Sequence, residues 1–146
     1  MYLITSPAVA GIVGGMTIAA IGMVYRAAIG KGFWSLPNGI GGIALGTQEG
    51  ASLAFGPPTI VGVALHMVLS AVYGVIIVAL APALGFGLIG TGILVGIAVW
   101  LFNYYAVGAV HAGSRQLAQL NPLWIAFFLH ALYGGVTGAV AGWLIG

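Results

Sequence analysis

Four long, almost uncharged apolar segments constrain this sequence more than any other feature. They run over Ala8 to Ile29, Pro58 to Ala81, Leu84 to Val110 and Pro122 to Ile145. An α-helix rises about 1.5 Å per residue, so about 20 residues cross a hydrocarbon layer about 30 Å thick. Each segment reaches that length, and a helix satisfies its own backbone hydrogen bonds in lipid. We therefore predict an all-α membrane protein, a four-transmembrane-helix bundle in which residues 1–146 form a single domain.

The composition excludes a water-soluble fold, because 62% of the 146 residues are hydrophobic and only 3% are charged. A soluble domain carries about a quarter charged residues. The chain has no cysteine, which excludes disulfides, thiolate metal sites and iron–sulfur clusters. Its three basic residues are too few for a nucleic-acid surface. We expect its partners to be membrane lipids, other membrane subunits or further copies of itself.

The connections between the segments predict the orientation. Residues 30–57 form the only long connection, and its aromatic residues and Pro37 favour a half-buried loop or a short interfacial helix. The dipeptide Pro82-Ala83 predicts a tight turn. The three basic residues fall at one membrane face if the segments alternate. By the positive-inside rule, residues 30–57 and 111–121 are then cytoplasmic and both termini lie outside. We expect the membrane to be the inner (plasma) membrane of a cell.

The second and fourth segments resemble each other. A shift of 64 residues aligns Pro58 with Pro122, Leu65 with Leu129, His66 with His130, Val72 with Val136 and Gly74 with Gly138. The first and third segments share a weaker glycine-rich start, Gly11 to Gly14 beside Gly87 to Gly90. We predict two tandem helical hairpins related by an internal repeat.

Small residues follow each of the two aligned histidines at helical spacing. Residues four apart share a helix face, so His66 and His130 lie above stripes of small residues. Such stripes let helix backbones approach closely in lipid. The residues predicted to pack in this way are Ser70, Gly74, Gly134 and Gly138, with matching grooves at Gly11, Gly15 and Ala19 and at Gly92 and Gly96.

A proline-led helix with this histidine pattern in both spans, and the run Leu36-Pro37-Asn38-Gly39-Ile40-Gly41-Gly42 after the first, resembles the YagU-like proteins. These are small, uncharacterised four-helix bacterial membrane proteins. The resemblance covers most of the chain and implies a four-helix membrane fold. It implies no established activity and no functional residues.

His66 and His130 are the candidate cofactor ligands. Each lies eight residues after a proline, at matching depth, and ionisable groups within a membrane are functional candidates. One hypothesis is a haem b held between the two imidazoles, with Arg26 or Lys31 near its propionates. The alternative is that neutral imidazoles bond neighbouring polar groups and keep the helices in register. No metal site is expected, because two histidines fall short of the ligands that a metal needs.

Polar and aromatic residues near the predicted cytoplasmic face form a second set of candidates. His111, Ser114 and Arg115 lie together after the third segment. One hypothesis is that they bind a lipid phosphate or a partner's carboxylate, and the alternative is that they are simply solvated. Arg26, Lys31 and Trp34 are also predicted to contact lipid or a partner.

No catalytic set is present in the sequence. The chain has no aspartate for a Ser-His-Asp triad and no Gly-x4-Gly-Lys motif for phosphates. The sequence therefore predicts a non-catalytic membrane subunit that assembles with or stabilises a larger complex, such as a respiratory or other electron-transfer complex. The alternatives are a small transporter or channel and a bis-histidine haem protein.

Overall fold

The computed structural model describes residues 2–145, with side chains from residue 5 onwards. Over this range the chain is all-α and contains no strand. Four stretches are long and apolar enough to cross a membrane: Thr5–Ala28, Pro57–Leu84, Gly87–Val110 and Leu123–Ile145. The predicted all-α membrane fold with four spanning helices is confirmed, and the protein is a multi-pass membrane protein. Its orientation and its place in an inner membrane stay predictions.

The helices follow one another in a simple order. The long ones are α1 (Tyr2–Ala28), α4 (Pro57–Leu84), α5 (Gly87–Leu101) and α8 (Leu123–Ile145). The third span continues from α5 through a π-helical segment, Phe102–Val107, into the single turn α6 (Gly108–Val110). Three short helices lie in the connections: α2 (Ser35–Leu45), α3 (Thr47–Gly50) and α7 (Ala112–Ala118). The connection over residues 30–57 is thus largely helical.

The turn between the second and third spans lies later than the sequence predicts. Pro82 is inside α4, which continues to Leu84. Gly85 and Gly87 then take positive φ angles of 72° and 66°. Glycine adopts this left-handed conformation without a steric penalty and commonly ends helices. The two glycines therefore set the turn, and the proline is accommodated in the last turns of the helix.

The described residues divide into two compact units. The first unit comprises residues 2–18, 67–100 and 127–145, and the second comprises residues 19–66 and 101–126. The first unit contains parts of all four long helices. The second contains the three short helices together with the adjoining ends of the long ones.

Close backbone contacts join α1 to α4 in the first unit. A Cβ atom added to Gly11 would lie 2.1 Å from the carbonyl oxygen of Ser70. One added to Gly74 would lie 2.3 Å from the carbonyl oxygen of Pro7. Both distances are far below any van der Waals contact. Only glycine fits at Gly11 and Gly74, as expected where helices associate through small residues.

The helices α5 and α8 pack in the same way. A Cβ atom at Gly92 would lie 2.0 Å from the carbonyl oxygen of Gly134, and one at Gly138 would lie 2.3 Å from that of Leu88. In the predicted 64-residue alignment, Gly134 and Gly138 correspond to Ser70 and Gly74. The predicted packing residues thus occupy two matching helix–helix contacts.

The glycines in these contacts differ from those that the predicted repeat aligns. Gly11 in α1 and Gly92 in α5 each meet the backbone of a neighbouring helix, whereas the glycine-rich starts align Gly11 with Gly87. The reason is physical, since the matched glycines are those that meet a neighbouring backbone. Gly87 meets no atom within 4 Å and serves the turn instead.

In the second unit, α2 packs through its glycines. A Cβ atom at Gly41 would lie 2.0 Å from the carbonyl oxygen of Pro58, at the start of α4. In return, one at Gly62 would lie 1.8 Å from the carbonyl oxygen of Pro37. The helix α2 also packs against α7. The long connection is therefore held tightly against the adjoining helices.

Candidate functional site

Asn38 is the centre of a buried hydrogen-bond cluster in the second unit. It lies in α2 and is fully buried. Its amide nitrogen Nδ2 donates to the carbonyl oxygens of Ser52 at 2.7 Å and Ala54 at 2.9 Å, and its Oδ1 accepts from the hydroxyl of Thr59. Thr59 Oγ1 in turn accepts from the backbone N–H of Gly56 at 3.1 Å. One side chain thereby satisfies main-chain groups of a segment that makes no regular helix.

The guanidinium of Arg26 lies inside the same unit. The residue is 7% exposed, and its Nε donates to Ser35 Oγ at 2.9 Å. Its Nη1 donates to the carbonyl oxygen of Leu120. Ser35 Oγ in turn donates a hydrogen bond to the carbonyl oxygen of Gly32 at 2.7 Å. Burying an ion costs several kcal/mol, and each bond to a charged group returns only about 1.5–3 kcal/mol. Arg26 is therefore a costly group with neutral partners.

Arg115 and His111 cap short helices. Arg115 donates from Nε to the carbonyl oxygen of Gly108 at 3.0 Å and from Nη2 to that of Ala109 at 2.9 Å. Cationic side chains commonly satisfy the last carbonyls of a helix in this way. His111 Nδ1 accepts from the backbone N–H of Ser114 at 3.2 Å, at the start of α7. Both predicted contact residues thus have partners within the chain.

Aromatic rings cluster after α1. Trp34 meets Phe33 and Phe55 edge to face, with ring centroids 4.8 and 5.1 Å apart. Phe33 and Phe55 are exposed. Lys31 is also exposed, while its backbone N–H donates to the carbonyl oxygen of Arg26 at 2.9 Å. Aromatic residues at a helix end are typical of the membrane interface, where amphipathic rings lie among the lipid headgroups.

The two candidate haem ligands lie in different units. His66 belongs to the second unit and His130 to the first, and both take part in interactions of their own. The backbone at His130 lies close to α5, since a Cβ atom at Gly96 would lie 2.1 Å from the carbonyl oxygen of His130. The haem hypothesis stays a prediction. Among the described residues, no group of three histidine, cysteine or acidic side chains lies together as a metal site.

Comparison with known proteins gives no relative. No family profile matches the chain. No curated protein and no solved structure matches it either. The resemblance to YagU-like proteins therefore stays a prediction, and the residues alone support any function proposed for this chain.

Asn38 and Thr59 were not predicted as organising residues. Asn38 lies in the run from Leu36 to Gly42, which was noted only for its resemblance. A signal was present, because a polar amide in so apolar a stretch needs partners wherever it is buried. Its partners, however, lie 14 to 21 residues away along the chain. The arrangement positions backbone and leaves the amide no capacity for chemistry on a substrate.

Proposed function

We propose that the protein is a non-catalytic membrane subunit that assembles with, and stabilises, a larger membrane complex. The observation that supports this most is how the buried polar groups are used. Asn38, Arg26 and Tyr133 all donate to main-chain carbonyls of the chain itself, Tyr133 to that of Ser70 at 2.7 Å. Groups used in this way hold the backbone in place. A rigid interior favours a role for the outer surface.

The outer part of α8 offers a surface suited to a partner helix. An apolar groove of about 390 Å³ lies in the first unit, lined by Phe86, Gly87, Leu88, Ile89, Gly138, Ala139 and Gly142. Trp143, next along α8, is 83% exposed. Glycine and alanine let a second helix approach closely, and a large exposed ring beside them adds contact area. We infer that a membrane helix of the partner subunit docks along this groove.

Site-specific photo-crosslinking in native membranes tests the proposal. A photoreactive phenylalanine analogue replaces Trp143 at the groove or Leu80 on α4 as the control. Leu80 is also an exposed apolar residue, at 40%. We expect one crosslinked partner band from position 143, in stoichiometric yield after purification in mild detergent, and no such band from position 80.

Three results would count against this proposal. Equal, diffuse crosslinking from both positions would indicate random collisions in the membrane. A protein that purifies alone, with crosslinks only to lipid, would remove the partner altogether. A crosslinked product of twice the chain's mass would replace the larger complex by a homo-oligomer. If a heterologous partner is found, electron-transfer complexes are the first class to compare it with.

The transporter alternative receives less support. At Gly92 and Gly134 the backbones of α5 and α8 meet directly, and at Gly11 the backbone of α1 meets that of α4. A solute path between the helices of either pair would need these contacts to open. The tight glycine contacts favour a fixed scaffold over a moving one.

A further inference from the structure

Arg26 carries a charge that the described residues do not neutralise. The chain has one acidic residue, Glu49, which is exposed, and no described carboxylate pairs with Arg26. The partners of its guanidinium are a hydroxyl and a carbonyl, both uncharged. Buried charges in proteins are otherwise paired or bound to ions of opposite sign. The second unit therefore holds an excess positive charge in its interior.

The guanidinium still has hydrogen-bond donors to offer. Arginine carries five N–H donors in a planar fork, and the bonds to Ser35 and Leu120 use one on Nε and one on Nη1. The third nitrogen, Nη2, bonds no described residue. Nη2 is not among the fully buried polar atoms without a partner, so it is not completely enclosed. This fork geometry fits phosphate oxygens.

The position of Arg26 along α1 indicates which anion it meets. It lies in the last turn of α1, at the end of the apolar span Thr5–Ala28. The exposed Lys31 follows, and the aromatic cluster of Phe33, Trp34 and Phe55 lies in the same unit. Aromatic belts mark the headgroup level of a bilayer. Two cations at that level match lipid phosphates more closely than a carboxylate buried on a partner helix.

We propose that Arg26, supported by Ser35 and by the carbonyl of Leu120, binds the phosphate group of an anionic phospholipid, with Lys31 as the second cation. Ser35 and the carbonyl of Leu120 hold two of the three guanidinium nitrogens in place, Nη2 remains to donate to the phosphate, and the lipid supplies the missing negative charge. This site does not depend on a partner subunit, so it stands or falls independently of the proposed function.

Native mass spectrometry of the purified protein tests this site. The protein is exchanged into detergent with either phosphatidylglycerol, which is anionic, or phosphatidylcholine, whose phosphate is balanced by choline. We expect one phosphatidylglycerol to be retained preferentially, and Arg26→Gln to weaken that retention about tenfold or more, since a charged hydrogen bond is lost. Arg115→Gln removes the same charge from the other candidate arginine, whose Nε and Nη2 already bond the carbonyls of Gly108 and Ala109, and a loss there as large as at Arg26 would overturn the assignment to Arg26. This variant should retain the lipid.

Arg26→Lys covers the case in which Arg26→Gln fails to fold. Lysine keeps the positive charge, so this variant should fold. It lacks the planar fork, so it should retain phosphatidylglycerol more weakly than the parent protein. Equal retention of both lipids by the parent protein, or equal losses in the Arg26 and Arg115 variants, would overturn the proposal. So would displacement of the lipid by millimolar inorganic phosphate, which would identify a site for the free anion.

Discussion

The interior of each compact unit is stabilised by a different kind of interaction. In the first unit, long helices meet at glycines, and main-chain atoms of neighbouring helices touch at Gly11, Gly74, Gly92 and Gly134. The second unit also has close glycine contacts. In addition, the side chains of Asn38, Arg26 and Arg115 donate hydrogen bonds to main-chain carbonyls there.

The difference follows from where the backbone is regular. A continuous helix satisfies its own N–H and C=O groups, so the first unit relies mainly on close packing, with the bond from Tyr133 to the carbonyl of Ser70 as an addition. The second unit contains breaks at residues 51–56, 111 and 119–122, where carbonyls have no helical partner. Polar side chains form hydrogen bonds with main-chain groups there, because an unsatisfied main-chain group away from water is costly. Irregular backbone in this protein is thus matched by buried polar residues.

The largest expected effect is from a single methyl group in the first unit. Gly134→Ala places a Cβ atom 1.8 Å from the carbonyl oxygen of Gly92, and neither helix backbone can move away cheaply. Overpacking typically costs about 1–3 kcal/mol and more where backbone must shift, so we expect a loss of about 3 kcal/mol or more in the free energy of unfolding. Unfolding by denaturing detergent, followed by circular dichroism, measures it.

The neighbouring residue provides the control. A Cβ atom at Gly135 meets only the side chain of Ile93, at 3.5 Å, which is ordinary contact. Gly135→Ala should therefore be neutral or stabilise the helix by up to about 1 kcal/mol, since alanine is the better helix former. Equal destabilisation by both substitutions would show that α8 does not pack on α5 through Gly134.

The second expected effect is the loss of the cluster in the second unit. Asn38→Asp keeps the shape of the side chain but removes both donors to the carbonyls of Ser52 and Ala54. Each buried group left unsatisfied costs about 1–3 kcal/mol, so we expect a loss of about 2–4 kcal/mol. Proteolysis between residues 50 and 57 should accelerate as this segment detaches.

The same change at an exposed position in the second unit isolates the effect. Gln48→Glu replaces an exposed amide by a carboxylate and should change neither stability nor proteolysis measurably. If Asn38→Asp is as stable as Gln48→Glu, the cluster does not hold the connection, and the contrast between the units is wrong.

The first unit was largely predictable from sequence, and the second was not. Hydropathy over about 20 residues locates a spanning helix, and spacing by four locates the glycines that face a neighbour. Ser70, Gly74, Gly134 and Gly138 were named from that spacing. Both signals are local, and the first unit is built from regular helices to which they apply.

The contacts of the second unit depend on residues distant in the chain. The bond from Arg26 to Leu120 spans 94 residues, and periodicity carries no information about it. The sequence predicted Arg26 as a contact with lipid or a partner, but it did not indicate that the side chain is buried and bonds Leu120. The packing of α2 against α7 was likewise not foreseen, since both lie in segments predicted as connections.

The smallest expected effect comes from replacing a buried threonine by valine, a change that can be made in both units. Thr91 is fully buried in α5, and its hydroxyl has no hydrogen-bond partner among the described residues. Thr91→Val removes an unsatisfied polar group and keeps the shape of the side chain. We expect the free energy of unfolding to stay the same or to rise by up to about 1 kcal/mol. Thr59→Val, in the second unit, removes the bond to Asn38 and the acceptor for Gly56.

The two threonine variants should therefore change stability in opposite directions. Thr59→Val leaves Asn38 and Gly56 unsatisfied, so a loss of about 1–3 kcal/mol is expected where Thr91→Val shows none. Both are measured by the same detergent unfolding. Equal losses would mean that the hydroxyl of Thr91 has a partner, such as a bound water, and that it supports the first unit as Tyr133 does. Opposite signs would tie polar stabilisation to the irregular backbone of the second unit, because the side chain and its burial are otherwise the same.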